Sequence, residues 1–435
     1  MAVPACLPPC VLSIMLMLSA LCPGELCGQE TRLERDTGPV SVSDRDWPWW
    51  RGPGRDGVAN PNQSPPLEWS AEQNVLWKTP VPGRGHSSPT VVGPHVYLTT
   101  ADEKSQVQSV LCFSRDTGTM VWKTDVHQGG LTKKGNKRSS QASASVACDG
   151  RRLFVNFLNQ GQIVTTALDL RGNILWQQNL SRYTVHQGYA SSPAIHGMQV
   201  IVTSDNKGGT GIVAALNRSN GMIVWKRHRP KAPNYSSPVI LTVNGRKQLL
   251  MTGCDLVSSI DPSNGRTLWE IKAATTECVT STVTDGTHIF TSGGYPKNHV
   301  AAVKADGSGK VVWENKTRVY VPSMVVRDGY LFAVADAGIA YCWKSDTGHE
   351  AWKKRLGGTF NASPVLVGER LFATSEAGTT FVFHAGPDSY QPIAENQLGE
   401  GVFATPTFCH DRIFMRVVES GSLPPREILY CLGTK

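Results

Sequence analysis

Beyond its first 28 residues the chain has no apolar run of about 18 residues, the length that a membrane-spanning helix needs. That part has no CxxC pair, so neither a zinc knuckle nor a thiol redox motif is indicated. The Walker-type phosphate loop, the GxSxG nucleophile elbow and the HExxH zinc motif are all missing. No stretch of about 15 residues carries a convincing 3.6-residue apolar period, so amphipathic helices are not expected. Charge is sparse and close to balance: 43 Lys and Arg against 35 Asp and Glu leave +8 over 435 residues. Aromatic residues are not interleaved with the basic stretches, which disfavours nucleic-acid recognition. What the chain does have is turns. Its 42 Gly and 27 Pro, with 40% hydrophobic residues, point to a large core cut by many reversals.

The start of the chain is set apart. Residues 11–22 (VLSIMLMLSALC) are apolar but too short to span a bilayer comfortably, and match the h-region of a secretory signal. Cleavage after Gly28 leaves Gln29 first, although MAVPACLPPC lacks the usual Lys or Arg. The expectation is an exported protein, periplasmic or extracellular. Cys22 follows Leu21 and Cys27 follows Leu26, contexts that do not suit lipidation. Of 11 Cys, four fall in this segment. The other seven are Cys112, Cys148, Cys254, Cys278, Cys342, Cys409 and Cys431, so at least one thiol is free in a monomer.

Self-similarity decides the fold. A turn glycine is followed four residues later by Trp at Gly118/Trp122, Gly172/Trp176, Gly221/Trp225, Gly265/Trp269, Gly309/Trp313 and Gly348/Trp352. NVLWKTPV supplies a seventh with Trp77, and QPIAENQL an eighth with Ala394 in the Trp place. Successive positions lie 45, 54, 49, 44, 44, 39 and 42 residues apart. Between them recurs a small-residue pair, often before Pro, as in Ser87-Ser88-Pro89, Ser191-Ser192-Pro193 and Ala404-Thr405-Pro406. Each repeat reads as four short antiparallel strands, with Gly providing the positive φ of a tight hairpin. Units of this length predict an all-β, eight-bladed propeller. The strand at 74–81 lacks three predecessors, and the last unit lacks a Trp strand. The N-terminal strand is therefore expected to complete the last blade. The organisation is a signal (1–28), an N-terminal segment (29–66) and the propeller (67–435). In the segment, 29–46 are charged and expected to be flexible. Trp47-Pro48-Trp49-Trp50-Arg51 should dock on the propeller, since three exposed Trp are costly. The repeat Trp residues (Trp77, Trp122, Trp176, Trp225, Trp269, Trp313 and Trp352) are expected to pack between blades.

SRDTGTMVW, IDPSNGRTLW and KSDTGHEAW resemble the tryptophan-docking repeat of the quinoprotein, or PQQ-like, superfamily. The resemblance covers about residues 67–435. WPWWRGP followed by GRDG is similar to the opening of many planctomycete PQQ-like repeat proteins. The superfamily includes PQQ-dependent alcohol and glucose dehydrogenases and non-catalytic BamB-type scaffolds of outer-membrane protein assembly. For a catalytic member the resemblance implies a quinone on the axis, Ca2+ held by Glu and Asn side chains, and an Asp base. Many alcohol-oxidising members add a vicinal Cys pair. The chain has no adjacent Cys pair after residue 28, and no Glu/Asn/Asp set can be matched to those positions. No cofactor or metal is therefore expected, PQQ with Ca2+ belonging to the catalytic alternative alone.

Repeat order puts the connections from each Trp strand to the next blade on one face, where function usually sits. They are 82–86, 127–142, 181–190, 230–235, 273–279, 317–321, 357–361 and 399–403. Residues one or two places before each small pair should ring the axis: His86, Gln141, Tyr189, Tyr235, Tyr320, Asn361 and Phe403 are the candidate ligand or partner site. They could equally plug the channel. Arg84, Lys133, Lys134, Lys137, Arg138, Arg182, Arg229, Lys231 and Arg318 form a candidate basic face. It attracts an anionic partner or merely keeps the loops soluble. The favoured function is a monomeric, non-catalytic envelope scaffold that engages a protein partner. A quinoprotein oxidoreductase and a propeller binding an anionic polymer are the alternatives.

Overall fold

Tight hairpins set the architecture. Gly118, Gly221, Gly265 and Gly348 take φ of 71°, 74°, 75° and 71° in the turn that leads into the fourth strand of their blades. In the computed structural model, residues 38–133, 135–136, 138–421 and 426–434 are described. The signal segment, residues 29–37, Lys134 and Lys137 lie outside the described residues. Among the described residues, thirty-two strands form eight four-stranded antiparallel sheets. Blades 1 to 7 occupy 90–128, 147–182, 194–229, 239–271, 283–315, 325–355 and 365–397. Blade 8 joins 407–432 to Val75–Val81, which pairs antiparallel with Arg426–Leu432. The ring is thus closed by a hydrogen-bonded sheet, as the order of landmarks predicts, and not by packing alone.

Across most blades runs a row of three residues: an aromatic on the second strand, a small residue on the third and Trp on the fourth. The rows are Tyr97–Cys112–Trp122, Phe154–Ala167–Trp176, Phe290–Ala302–Trp313, Phe332–Cys342–Trp352 and Phe414–Cys431–Trp77. The outer two rings sit 6.0 to 6.2 Å apart. The small residue lets them meet, which explains why three buried cysteines stand there. All seven cysteines among the described residues are free and buried. Burial pushes the Cys112, Cys342 and Cys431 thiols up to about 12, so they stay neutral and act as apolar filler.

Each indole then reaches the next blade. Nε1 of Trp77, Trp122, Trp176, Trp225, Trp313 and Trp352 donates to the carbonyls of Arg115, Leu170, Arg218, Pro262, Ser345 and Gly386, at 2.8 to 3.1 Å. Trp269 differs and donates to Gln248 Oε1 in its own blade. A Cβ on Gly172, Gly221, Gly265 or Gly348 would stand 2.5 to 2.8 Å from the indole of the preceding blade. The motif glycine is therefore the seat for a neighbour's Trp.

Near the axis the small pairs form a belt. The second member in every blade carries a hydroxyl, and in six of the blades its backbone N–H donates to the hydroxyl of the next blade. The bonds run Ser88 to Ser145, Ser145 to Ser192, Ser192 to Ser237, Ser281 to Ser323, Ser323 to Ser363 and Ser363 to Thr405, at 2.9 to 3.0 Å. Inner strands are only two to five residues long. These bonds join one inner strand to the next where no ladder can.

Residues 38–66 do not form a loose tail. Ser41 N donates to Asp149 O, and buried Asp46 accepts from the Gly93 N–H. The expected flexibility of 29–46 is thus corrected for 38–46. Charge does not keep this stretch in solvent, because blades 1 and 2 pair with it. Further on, the segment bonds to Val91, Cys148, Ile195, Ser281, Met324, Leu366 and Phe408, one residue from each of seven blades. A chain that touches the innermost residues of seven blades in a ring of eight has to pass over the axis. Trp47, Trp49 and Arg51 are buried there. Arg51 donates to the carbonyls of Met324 and Asp56, and burial drags its guanidinium down to about 10.

Candidate functional site

The opposite end of the axis, where the inter-blade connections gather, opens into a cavity of about 580 Å3. Trp50 contributes to its lining, with Nε1 fixed on Ser281 Oγ at 2.9 Å. The N-terminal segment therefore closes the channel from below, and the cavity is a blind funnel. Around it stand His86, Tyr189, Tyr235, Tyr320, Asn361 and Phe403, six of the seven axial candidates. Their geometry is tightly held. His86 stacks on Phe403 at 4.6 Å and 13°. Tyr189 OH donates to Thr203 O at 2.9 Å, and Tyr235 OH lies 2.9 Å from His186 Nδ1. Tyr320 OH bonds Glu277 Oε2 at 3.3 Å, and its N–H donates to Asp336 Oδ2 at 2.8 Å. Burial raises the pKa of Tyr189, Tyr235 and Tyr320, so all three are neutral phenols.

Gln141 is the exception. Its side chain donates to Thr132 O within its own connection, and its carbonyl accepts from Gln108. The long 127–142 connection folds back on itself and draws Gln141 away from the axis.

The basic face is mostly dispersed. Arg229 is a correction: it is 6% exposed, donates to Asp205 Oδ1 at 2.7 Å and has Ser258 and Gly253 O beside it. Strand alternation turns it into the blade, where a buried carboxylate meets it. Arg138 ion-pairs with Glu376 of blade 7. Arg318 donates to Gly294 O and lies 5.0 Å over the Tyr320 ring. Arg84 is half-buried, its backbone paired with Ala101. Lys133, Arg182 and Lys231 are exposed.

Sequence reasoning missed Trp50 as the floor, and also Asp336, Glu376 and Glu277. Asp336 and Glu376 come from the turns between second and third strands of blades 6 and 7, in the matching stretches ADAG and SEAG. Antiparallel order puts these turns on the same face as the connections, so the repeat alone could have found them. Burial raises the pKa of Asp336 against the opposing influence of Arg318 and backbone N–H groups.

The calcium and quinone set implied by the fold's catalytic members does not fit these residues. A calcium site wants about six to eight oxygen ligands. The Asn/Glu contact seen among the described residues of the funnel turns Asn361 Nδ2, a donor, towards Glu376 Oε1 at 2.5 Å. The same carboxylate is already paired with Arg138. Among the described residues, no three His, Cys, Asp or Glu side chains converge as metal ligands.

The family described as outer membrane protein assembly factor BamB matches residues 106–295 and 296–386, more than half of the chain. A BamB of Shewanella oneidensis is 25% identical over 213 residues, 48% of this chain and 48% of that protein. The match thus spans about half the length of that curated relative. Among solved structures, BamB from Moraxella catarrhalis superposes with TM-score 0.57 at 15% identity, covering 83% of this chain and 97% of that one. The quinohemoprotein alcohol dehydrogenase ADHIIG from Pseudomonas putida HK5 gives 0.67 at 12% identity, covering 91% and 83%. A europium-containing methanol dehydrogenase gives 0.64 at 12%, covering 90% and 98%. Identities this low speak to fold alone. With eight blades, seven of them carrying the repeat Trp, and a family match over most of them, the chain belongs to the PQQ-like repeat propellers of the outer membrane protein assembly factor BamB family.

Proposed function

We propose that this chain is a non-catalytic scaffold of the cell envelope that presents its connection face to a protein partner. The observation that supports this most is the condition of the axial polar groups. Glu376 is engaged by Arg138 and Asn361, Glu277 by Tyr320 and His186, and Asp336 by a backbone N–H. Each of these carboxylates is thus already held by a partner within the protein, which leaves it less available to a metal ion or to proton transfer. The scaffold reading also agrees with the family. Exposed Lys133 and Lys231 mark the connections that a partner would meet first.

Two measurements test it. Protein spanning 29–435 is titrated with PQQ, with and without Ca2+, by calorimetry, then assayed for dye-linked alcohol and sugar oxidation. The scaffold reading expects no binding up to the order of tens of micromolar, and turnover would refute it. A photo-crosslinking residue is then placed in the native host at Lys133, at Lys231, or at exposed Lys247 beside the turn between the first two strands of blade 4, on the face away from the connections. Adducts with one envelope protein are expected from the first two positions and not from Lys247. Equal labelling from all three would remove the connection face as the docking surface.

A further inference from the structure

The funnel is deeper and more finished than a docking surface requires. Its volume of about 580 Å3 lies in the small-ligand range of ~300–1,000 Å3. Its floor is an indole locked by a hydrogen bond, and one wall is a stacked His86–Phe403 pair. Rigid aromatic faces are preorganised, so a ligand pays little ordering cost on binding. The three tyrosine hydroxyls already bond or abut protein partners. They therefore offer a ligand ring surface more than a polar tip.

Planar polar groups are set between these rings. Asn361, Gln187 and Asn136 bring amides, and Asp336 and Glu376 bring carboxylates. The hydroxyls of Ser88, Ser192, Ser237, Ser363 and Thr405 line the neck. Charge is balanced: Arg138 and Arg318 face Glu376 and Asp336, and one of these pairs is a direct ion pair. A charged ligand would meet as much repulsion as attraction, and a fully apolar one would strand the amides and hydroxyls. The ligand that suits such a lining has flat C–H faces edged by hydroxyls and carries no net charge.

We infer that the axial funnel is a binding site for a short neutral saccharide, with pyranose faces stacked on Tyr189, Tyr235, Tyr320 and Trp50 and hydroxyls met by Asn361, Asp336 and the Ser/Thr belt. This site is independent of the scaffold reading and lies inside the face that reading uses. Because the funnel is blind, it takes a free oligosaccharide or the end of a longer chain.

The test uses protein spanning 29–435 and calorimetry with maltotriose, cellotriose, laminaritriose and chitotriose, each to about 10 mM. At least one is expected to bind. Tyr320→Ala and Asn361→Ala should each weaken that binding ~10-fold or more. Thermal unfolding establishes that each variant is folded. If Tyr320→Ala fails to fold, Asn361→Ala carries the test. A matching uronic-acid trimer and a Gly-Tyr-Lys peptide should bind more weakly than the neutral sugar. Co-sedimentation with the corresponding insoluble polysaccharide then separates chain ends from free oligosaccharide. The inference fails if none of the four sugars binds, if folded variants bind as well as the parent, or if the uronate or the peptide binds better.

Discussion

Gly221 and Trp225 share one motif but serve different contacts. Gly221 receives Trp176 of the blade before, and Trp225 reaches Pro262 in the blade after. A Cβ on Gly221 would stand 2.6 Å from the Trp176 ring, and φ is +74°. Gly245 has a similar φ of +70° but nothing within 4 Å. Gly245→Ala should then cost only the backbone strain, about 1 kcal/mol. Gly221→Ala adds displacement of a packed indole, for a total of about 3 kcal/mol. Denaturant unfolding of both variants checks this, and equal losses would show that the indole moves aside freely. The four-residue spacing was legible because it repeats. The partner of each residue was not, since it lies about 45 residues away, in the adjoining repeat. Arg229 was misplaced for a related reason: nothing near it in sequence announces Asp205, which turns it inward.

At the scale of elements, blade 7 is the irregular one. Its row reads Phe372–Val382–Ala394, with no indole on the fourth strand. Trp69 makes up for this. It is 4% exposed, stacks on Phe372 at 6.4 Å and 19°, and is anchored through its backbone N–H to Asn396 Oδ1 at 2.8 Å. It shares a core with blade 8 residues Phe408, Phe414 and Leu429. An indole from the stretch before the first strand thus fills the space between blades 7 and 8 that the repeat Trp fills elsewhere. Trp69→Ala should cost about 3–5 kcal/mol, the usual range for a buried Trp, with faster amide exchange centred on blade 7. Adding Ala394→Trp should recover part of the loss. A double variant no more stable than Trp69→Ala would show that Trp69 does not occupy the vacant repeat position. Sequence reading found the gap at Ala394 but not its filler, because Trp69 stands outside the repeat and carries no periodic signal.

For the whole molecule, two devices hold the ring. The sheet closure in blade 8 was legible, because the order of landmarks leaves a Trp strand over at the start and a three-strand unit at the end. The second device is the course of residues 47–63 across the axis, and it has no period from which it could be read. Its hydrogen bonds end on seven blades, so it acts like a spoke set binding short inner strands that have few bonds of their own. Protein that begins at residue 61 keeps Trp69, the closing strand and the Gln63 bond to blade 8 but loses the other six. Its thermal midpoint should fall by several degrees, as a loss of a few kcal/mol does in a domain this large. More telling is where exchange rises. Inner strands Thr90–Val92, Ala194–His196, Val325–Arg327 and Val365–Val367 should lose protection together, while fourth strands such as Ile174–Arg182 keep theirs. Loss confined to blades 1 and 2 would mean that the segment is a local clamp at its point of entry. Loss around the ring would show that one crossing segment couples the inner strands of the whole propeller and, through Trp50, sets the floor of its funnel.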